Sequence, residues 1–172
     1  LTKAQLEGEQ RSMLKIMKQP VFIAAAVSAT VAQCVMNFLM TATPIAMISI
    51  CGHSFGATAG VIAWHTFAMF APGVFTGFLV RKFGAVTIIL IGLLMEAACI
   101  GVALSGVKVI DFWLSMFLLG IGWNFTFTAA TSLMTTAYTP AERAKTQGMM
   151  NQIIYTVVAC GALSSGAFIH FF

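Results

Sequence analysis

The chain has 172 residues, of which 59% are hydrophobic and 8% are charged, and its formal net charge is +4. Soluble domains carry roughly 25% charged residues because their surface must be solvated. A water-soluble fold of this size is therefore excluded. The basic balance then fits the cytoplasmic loops of a membrane protein better than nucleic-acid binding.

Residues 1–19 form the one long polar segment. Arg11, Lys15 and Lys18 recur at helical spacing beside an apolar face. This pattern predicts a cytoplasmic amphipathic linker, either a short helix on an anionic leaflet or a solvated tail. The chain begins at Leu1 rather than Met, so we expect this linker to follow an upstream part that has been cut away.

Five apolar blocks follow the linker, each long enough for the roughly 20 residues that cross hydrocarbon. They cover residues 21–48, 57–80, 84–105, 112–138 and 147–170. The loops between them are short, so neighbouring helices must be antiparallel. The sequence predicts an all-α, polytopic membrane bundle of about five transmembrane helices over residues 20–172.

The basic residues set the predicted orientation. With the amino end in the cytoplasm, Lys108 is the one basic residue outside, and eight lie inside. Those eight are Lys3, Arg11, Lys15, Lys18, Arg81, Lys82, Arg143 and Lys145. Basic loops stay in the cytoplasm, so the amino end is predicted to be cytoplasmic.

Polar side chains recur along one face of several predicted spans. The first span carries Gln33, Asn37 and Thr41; the second carries Trp64 and His65; the fourth carries Asn124 and Thr128; and the fifth carries Asn151 and Tyr155. Such residues can join helices by hydrogen bonds. Because amide-bearing stripes occur on three helices, the sequence favours a shared polar cavity that binds a substrate.

Two ionisable residues lie at membrane depth. Glu96 is near the middle of the third span, where a carboxylate must be protonated, paired or functional. It is interpreted either as part of a proton relay or as a neutral hydrogen-bonding group. His65 is interpreted either as a proton or substrate group in the cavity or as a packing histidine.

Residues that would support enzyme chemistry are missing from the pattern. The four cysteines are scattered without metal-ligand spacing, and there is no H-E-x-x-H motif or phosphate-binding loop. We expect no metal, no cofactor and no enzymatic activity.

The segment Gly77-Phe-Leu-Val-Arg-Lys-Phe-Gly84, which contains Arg81 and Lys82, resembles the G-x-L-a-D-r-x-G-r-r signature of the major facilitator superfamily. The chain departs from that signature at Arg81, where an acidic residue would stand, as an eroded second copy would. The order of the spans is similar as well. Glu142–Gly148 resembles the basic turn before the eleventh helix of these carriers.

The resemblance implies that the five spans correspond to helices seven to eleven, in the carboxyl-terminal half of a carrier. The twelfth helix and the amino-terminal half would be absent. In this family the third helix of a half is peripheral and the first, second, fourth and fifth line the cavity. Gly77, Arg81, Lys82 and Gly84 would form a cytoplasmic gate loop.

The sequence therefore predicts a secondary active transporter of a small organic solute that works by alternating access. Proton coupling through Glu96 or His65 is a further hypothesis. The expected location is the bacterial inner membrane, and the expected partners are the bilayer, the missing amino-terminal half and a small-molecule substrate, without nucleic acid. The alternative is a structural or accessory subunit that packs against a larger membrane complex.

Overall fold

The computed structural model describes the backbone of residues 10–171 and the side chains of residues 10–162. Residues 1–9 of the predicted linker, including Lys3, lie outside the described residues, as does Phe172. Within the described part every regular element is helical, which confirms the predicted all-α bundle. The helices are α1 (Met13–Met17), α2 (Pro20–Ile45), α3 (Phe55–Phe70), α4 (Gly73–Phe83), α5 (Ala85–Ala103), α6 (Val109–Met134) and α7 (Arg143–Phe171). A π-helical turn, Ala46–Ile50, extends α2, and a 3-10 turn, Pro140–Glu142, precedes α7.

Three stretches of the described chain are each long and apolar enough to cross a bilayer. They are Pro20–Ile50 with a mean hydropathy of 1.8, Ala85–Ala103 with 2.4 and Val109–Met134 with 1.3. Helices α3 and α4 have 16 and 11 residues and are each too short to cross a bilayer. They meet the same standard only as a pair, which is bent by 42° at a short break. The predicted fifth span lies within the 29 residues of α7.

The break between α3 and α4 interrupts what the sequence predicts as one span over residues 57–80. Helix α3 begins where the Ser54 hydroxyl accepts a hydrogen bond from the amide of Ala57 at 3.2 Å. Pro72 has no amide hydrogen, so the regular ladder of hydrogen bonds cannot pass through it. Gly84 then separates α4 from α5 with a φ of +85°, which favours glycine.

Helix α6 lies at the centre of the bundle, where it packs against α5, α3 and α2, while α7 packs mainly on α2. It approaches α5 closely. A Cβ atom on Gly92 would lie 2.7 Å from the carbonyl oxygen of Gly122, and one on Gly122 would lie 2.9 Å from that of Gly92. Paired glycines therefore let the two backbones touch, as small residues do at membrane helix interfaces.

Helix α1 is attached to this bundle. Ile16 is fully buried in an apolar cluster with residues of α2, α6 and α7, and Met13 and Met17 pack against the same cluster. Leu14 remains exposed. The apolar side of this part of the linker therefore faces protein.

Large apolar side chains cover much of the exterior. Val74, Phe75, Leu94 and Leu104 are among those that stay exposed within residues 10–162. A soluble monomer rarely exposes apolar patches on this scale, so the exterior fits a hydrocarbon solvent.

Candidate functional site

Among the described residues, the polar stripe of α2 (Gln33, Asn37 and Thr41) forms one side-chain hydrogen bond to another helix. Gln33 is nearly buried, and its side-chain oxygen accepts a hydrogen bond from the indole nitrogen of Trp123 on α6 at 3.1 Å. The Asn37 amide donates to the Gln33 carbonyl at 2.8 Å, and the Thr41 hydroxyl donates to the Asn37 carbonyl at 2.9 Å. Both bonds stay within α2, so among the described residues these two side chains form no hydrogen bond that would fix α2 to a neighbour.

Trp64 belongs to an aromatic cluster on α3 and α6. Its ring lies 5.9 Å from that of Trp113 and 5.4 Å from that of Phe67, edge-on in both cases. Trp113 stacks in turn on Phe117 at 5.1 Å. Trp64 is 48% exposed and Phe67 is 57% exposed. We call Trp64, Phe67, Trp113 and Phe117 the aromatic cluster; it offers accessible ring faces and edges.

His65 points away from solvent. It is fully buried, and its Nδ1 lies 2.8 Å from the carbonyl oxygen of Met116. A carbonyl can only accept, so Nδ1 must carry a proton. The other nitrogen, Nε2, is buried without a hydrogen-bond partner among the described residues. His65 thus joins α3 to α6 and keeps one ring nitrogen available.

Asn124 is buried where α6 meets the break between α3 and α4. Its amide nitrogen donates to the carbonyl of Met69 at 2.8 Å, and its side-chain oxygen accepts from the Thr76 hydroxyl at 2.6 Å. Both polar atoms of this side chain are therefore bonded within the protein.

The remaining predicted cavity residues are more open. Thr128 is partly buried, Asn151 is exposed and Tyr155 is 58% exposed on α7. The structure thus unites Gln33 with α6 and places His65 and Asn124 between α3 and α6. Within residues 10–162, neither Asn151 nor Tyr155 forms a hydrogen bond with those three.

An apolar groove of about 480 Å³ opens elsewhere, between α2 and α5. It is lined by Cys34, Val35, Phe38, Leu39, Ile100, Ala103 and Leu104. None of the predicted cavity residues lines it.

Glu96 lies at the seam between α5 and α6. It is 3% exposed, and neither carboxylate oxygen has a hydrogen-bond partner among residues 10–162. Its Cγ would lie 3.0 Å from a Cβ atom placed on Gly122. The hydroxyl of Thr126, one turn after Gly122 on α6, is buried and interacts with the Glu96 carboxyl, although the two do not form a hydrogen bond of regular geometry. Glu96 therefore lies on a tightly packed helix pair, where the Thr126 hydroxyl is the polar group beside its carboxyl.

The predicted gate loop is the end of α4. Arg81 and Lys82 are exposed, and the Lys82 ammonium lies 5.9 Å from the ring centre of Phe78 and 5.2 Å from that of Phe83. In the part of the chain that the structure describes, neither basic group forms an ion pair.

Sequence reasoning missed a cluster of charges that joins the linker to the segment before α7. The Arg11 guanidinium contacts the Glu142 carboxylate at 2.7 Å and the carbonyl of Ala137 at 2.9 Å. The Arg11 backbone amide also donates to Glu142, at 2.7 Å. The guanidinium holds the pKa of the Glu142 carboxyl well below its usual range, and the hydrogen bond to Glu142 raises the pKa of Arg11. The spacing of Thr139 and Glu142 is that of a capping box, which was the available local signal.

A family model described as Major Facilitator Superfamily matches residues 2–172. The chain belongs to the major facilitator superfamily. This finding confirms the resemblance read from the sequence, and it identifies the bundle as part of an integral membrane protein of a transporter family.

Three relatives agree with this assignment. The chain is 42% identical over 160 residues to "Riboflavin transporter RfnT" of Brucella anthropi, covering 93% of this chain and 40% of the relative. It is 34% identical over 166 residues to "Uncharacterized MFS-type transporter YddS" of Bacillus subtilis, covering 95% of this chain and 37% of the relative. It is 36% identical over 136 residues to "Uncharacterized MFS-type transporter YdeG" of the same organism, covering 78% and 31%.

The chain spans at most 40% of the length of these relatives. No solved structure matches it.

Proposed function

We propose that the chain forms one wall of a secondary active transporter, and that the transported solute is riboflavin or another planar heteroaromatic compound. The observation that carries this proposal is the 42% identity to the riboflavin transporter of Brucella anthropi over 93% of this chain. The transporter family is shared by the other relatives, whose substrates are not named.

The aromatic cluster supports this class of solute. Planar heteroaromatic rings bind aromatic side chains by offset stacking or edge-to-face contact. Trp64 and Phe67 are about half exposed, and Trp113 already stacks on a neighbouring ring. Ligand sites combine such apolar surfaces with a few polar groups. In this chain Gln33, Asn37, Thr41, Thr128, Asn151 and Tyr155 are the polar residues proposed for that role.

We also propose that the five helical segments are helices seven to eleven of the carrier. The amino-terminal half would then form the opposite wall, and substrate would be exposed alternately to each side. The basic residues favour a cytoplasmic amino end in a bacterial inner membrane. Proton coupling through Glu96 or His65 is part of this proposal, since both have buried polar atoms without partners among the described residues.

The test is riboflavin exchange by the full-length protein in lipid vesicles. We expect external riboflavin to drive release of preloaded labelled riboflavin, and we expect an inward proton gradient to increase net uptake. Vesicles without the protein give the background. Exchange no faster than background, from correctly inserted protein, would remove riboflavin as the substrate. Equal uptake with and without the gradient would remove proton coupling.

A matched pair of variants tests the aromatic cluster. Trp64→Ala should raise the KM for riboflavin several-fold. Phe70→Ala, which removes an exposed ring of the same helix outside the cluster, should leave KM unchanged. An equal KM for Trp64→Ala and wild type would show that the cluster does not bind the solute.

A further inference from the structure

The bend between α3 and α4 has a polar brace on a different helix. The break falls at Ala71 and Pro72, and the two helices differ in direction by 42°. In an uninterrupted α-helix the carbonyl of Met69 would accept from the amide four residues later. Here the Asn124 amide of α6 donates to that carbonyl at 2.8 Å.

The same side chain holds the far side of the break. The Thr76 hydroxyl, in the first turns of α4, lies 2.6 Å from the Asn124 side-chain oxygen and 2.9 Å from the Pro72 carbonyl. A hydroxyl has one hydrogen to donate, so these two acceptors share it, and the shorter distance is to Asn124. One amide thus contacts both α3 and α4.

Burial makes this arrangement stiff. Asn124 is 5% exposed and Thr76 is fully buried. Water is scarce in a membrane interior, so an amide or carbonyl that loses its partner there has few replacements. Straightening the bend would move Met69 and Thr76 relative to each other. One rigid amide group could then no longer bond to both, so at least one of the two hydrogen bonds would break.

We propose that Asn124 is a positioning residue that clamps the bend between α3 and α4, and that this clamp sets where α4 and its cytoplasmic end lie during transport. Asn124 acts through Met69 and Thr76 and not as a ligand of the solute. The proposal rests on the transport function for its biological meaning, but the clamp itself is a structural claim that can be measured without a substrate.

The scale of the movement is large enough to detect. Helix α4 has 11 residues, so it is roughly 16 Å long at 1.5 Å per residue. Removing the full 42° bend would displace its tip by roughly 11 Å on this geometry. A clamp that only loosens would move the tip by several ångström and spread its positions.

The experiment measures that displacement in the full-length protein by pulsed electron paramagnetic resonance. Spin labels are placed at Phe83, at the end of α4, and at Thr135, just after α6, both of which are exposed. Asn124→Leu removes both hydrogen bonds at similar side-chain volume. Thr76→Val removes only the bond to α4. Thr66→Val is the matched control, because its exposed hydroxyl bonds only to Ile62 within α3.

We expect a shift or broadening of several ångström for Asn124→Leu, a smaller one for Thr76→Val and none for Thr66→Val. We also expect Asn124→Leu to lower kcat for riboflavin exchange more than it changes KM. If the Asn124→Leu protein does not insert into the membrane, the label distance in Thr76→Val alone tests the clamp, since that variant removes a single hydroxyl.

A label distance distribution unchanged from wild type in both variants would overturn the clamp. A raised KM with an unchanged distance would overturn it as well, and would make Asn124 a solute ligand. If wild type does not exchange riboflavin but the distances shift as expected, the proposed substrate fails and the clamp stands.

Discussion

The charged cluster before α7 differs from the ionisable groups inside the spans in how far its polar atoms are paired. In the charged cluster, Glu142 is fully buried and binds Arg11 through backbone and side chain, and the Thr139 amide donates to it at 2.9 Å. Lys145 donates to the Arg11 carbonyl at 2.8 Å, and Gln19 donates to the Ala137 carbonyl at 3.0 Å. Arg11, Glu142 and Lys145 therefore each have a hydrogen-bond partner in this cluster.

Inside the spans, two ionisable side chains have buried polar atoms that form no hydrogen bond within the described part of the chain. Both oxygens of Glu96 and one nitrogen of His65 are buried with no partner among residues 10–162. Near the charged cluster, the neutral hydroxyl of Thr146 is also buried without a hydrogen-bond partner among residues 10–162. Unpaired buried polar atoms are costly and mark candidate functional sites in membranes. The charged side chains of the cluster are thus paired, whereas Glu96 and His65 keep buried polar atoms that form no hydrogen bond among residues 10–162.

The largest expected effect tests whether loose packing explains the unpaired atoms around Glu96. Gly92→Val should abolish accumulation of folded protein, because its Cβ would lie 2.7 Å from the Gly122 carbonyl and from the Thr126 amide. Both neighbours are backbone and cannot move aside cheaply. Membrane abundance and size-exclusion profile are the measurements.

Gly101→Ala is the control on the same helix, since a Cβ there meets nothing within 4 Å. Normal abundance of Gly92→Val would mean that α5 and α6 have room between them. The absence of a hydrogen bond at Glu96 would then be explained by loose packing between α5 and α6, and would not point to a functional role.

The next largest effect is expected from a substitution that breaks the charged cluster. Glu142→Ala should lower membrane abundance several-fold, because it leaves the Arg11 guanidinium and the Thr139 amide without their shared acceptor. Arg143→Ala, which removes a neighbouring exposed charge, is the control. Equal abundance of both variants would show that the cluster does not hold the linker to the bundle.

The contrast between these regions also separates what sequence could and could not predict. The apolar blocks predicted the helical bundle, and the signature around Gly77 predicted the family, because both depend on local pattern. The bond between Arg11 and Glu142 joins residues 131 positions apart, so no local pattern contained it. The sequence likewise placed Asn124 on a polar stripe, while its bonds to Met69 and Thr76 depend on where α3 breaks.

Glu96→Gln is the sharpest test of the interior. We expect near-normal abundance, since a neutral amide of the same shape replaces a carboxyl group that forms no hydrogen bond with residues 10–162. We also expect uptake to lose its dependence on a proton gradient, because an amide side chain does not bind or release a proton at physiological pH. Asp111→Asn, at the start of α6, is the control for loss of a carboxylate.

A Glu96→Gln protein that keeps full gradient dependence would assign Glu96 a packing role, and His65→Gln would be the next variant. A large fall in abundance would show that Glu96 has a structural partner in the full-length protein. Either result would mean that Glu96, like Glu142 in the charged cluster, has a structural role.

A smaller effect is expected for the α2 stripe. Asn37→Ala should slow riboflavin exchange per molecule while leaving abundance unchanged, since the Asn37 amide bonds only to a carbonyl of its own helix. Thr30→Val, on the same helix, removes a hydroxyl with the same kind of bond to Ala26 and should change neither quantity. Reduced abundance with normal exchange per molecule would make the stripe a packing feature.

The smallest effect is the pH dependence of the charged cluster. The pKa of Glu142 is lowered in the folded protein by Arg11, so its stabilising contribution is present above the unfolded carboxyl pKa, about 4.3, and is lost as pH falls towards the lowered value. The Tm difference between wild type and Glu142→Gln in detergent should stay constant from about pH 8 to pH 5 and shrink below about pH 4, on the same reference value. Other groups titrate in both proteins and cancel from the difference. A Tm difference that widens on acidification would have the wrong sign for a paired carboxylate. It would show that the ion pair between Arg11 and Glu142 does not stabilise the folded protein.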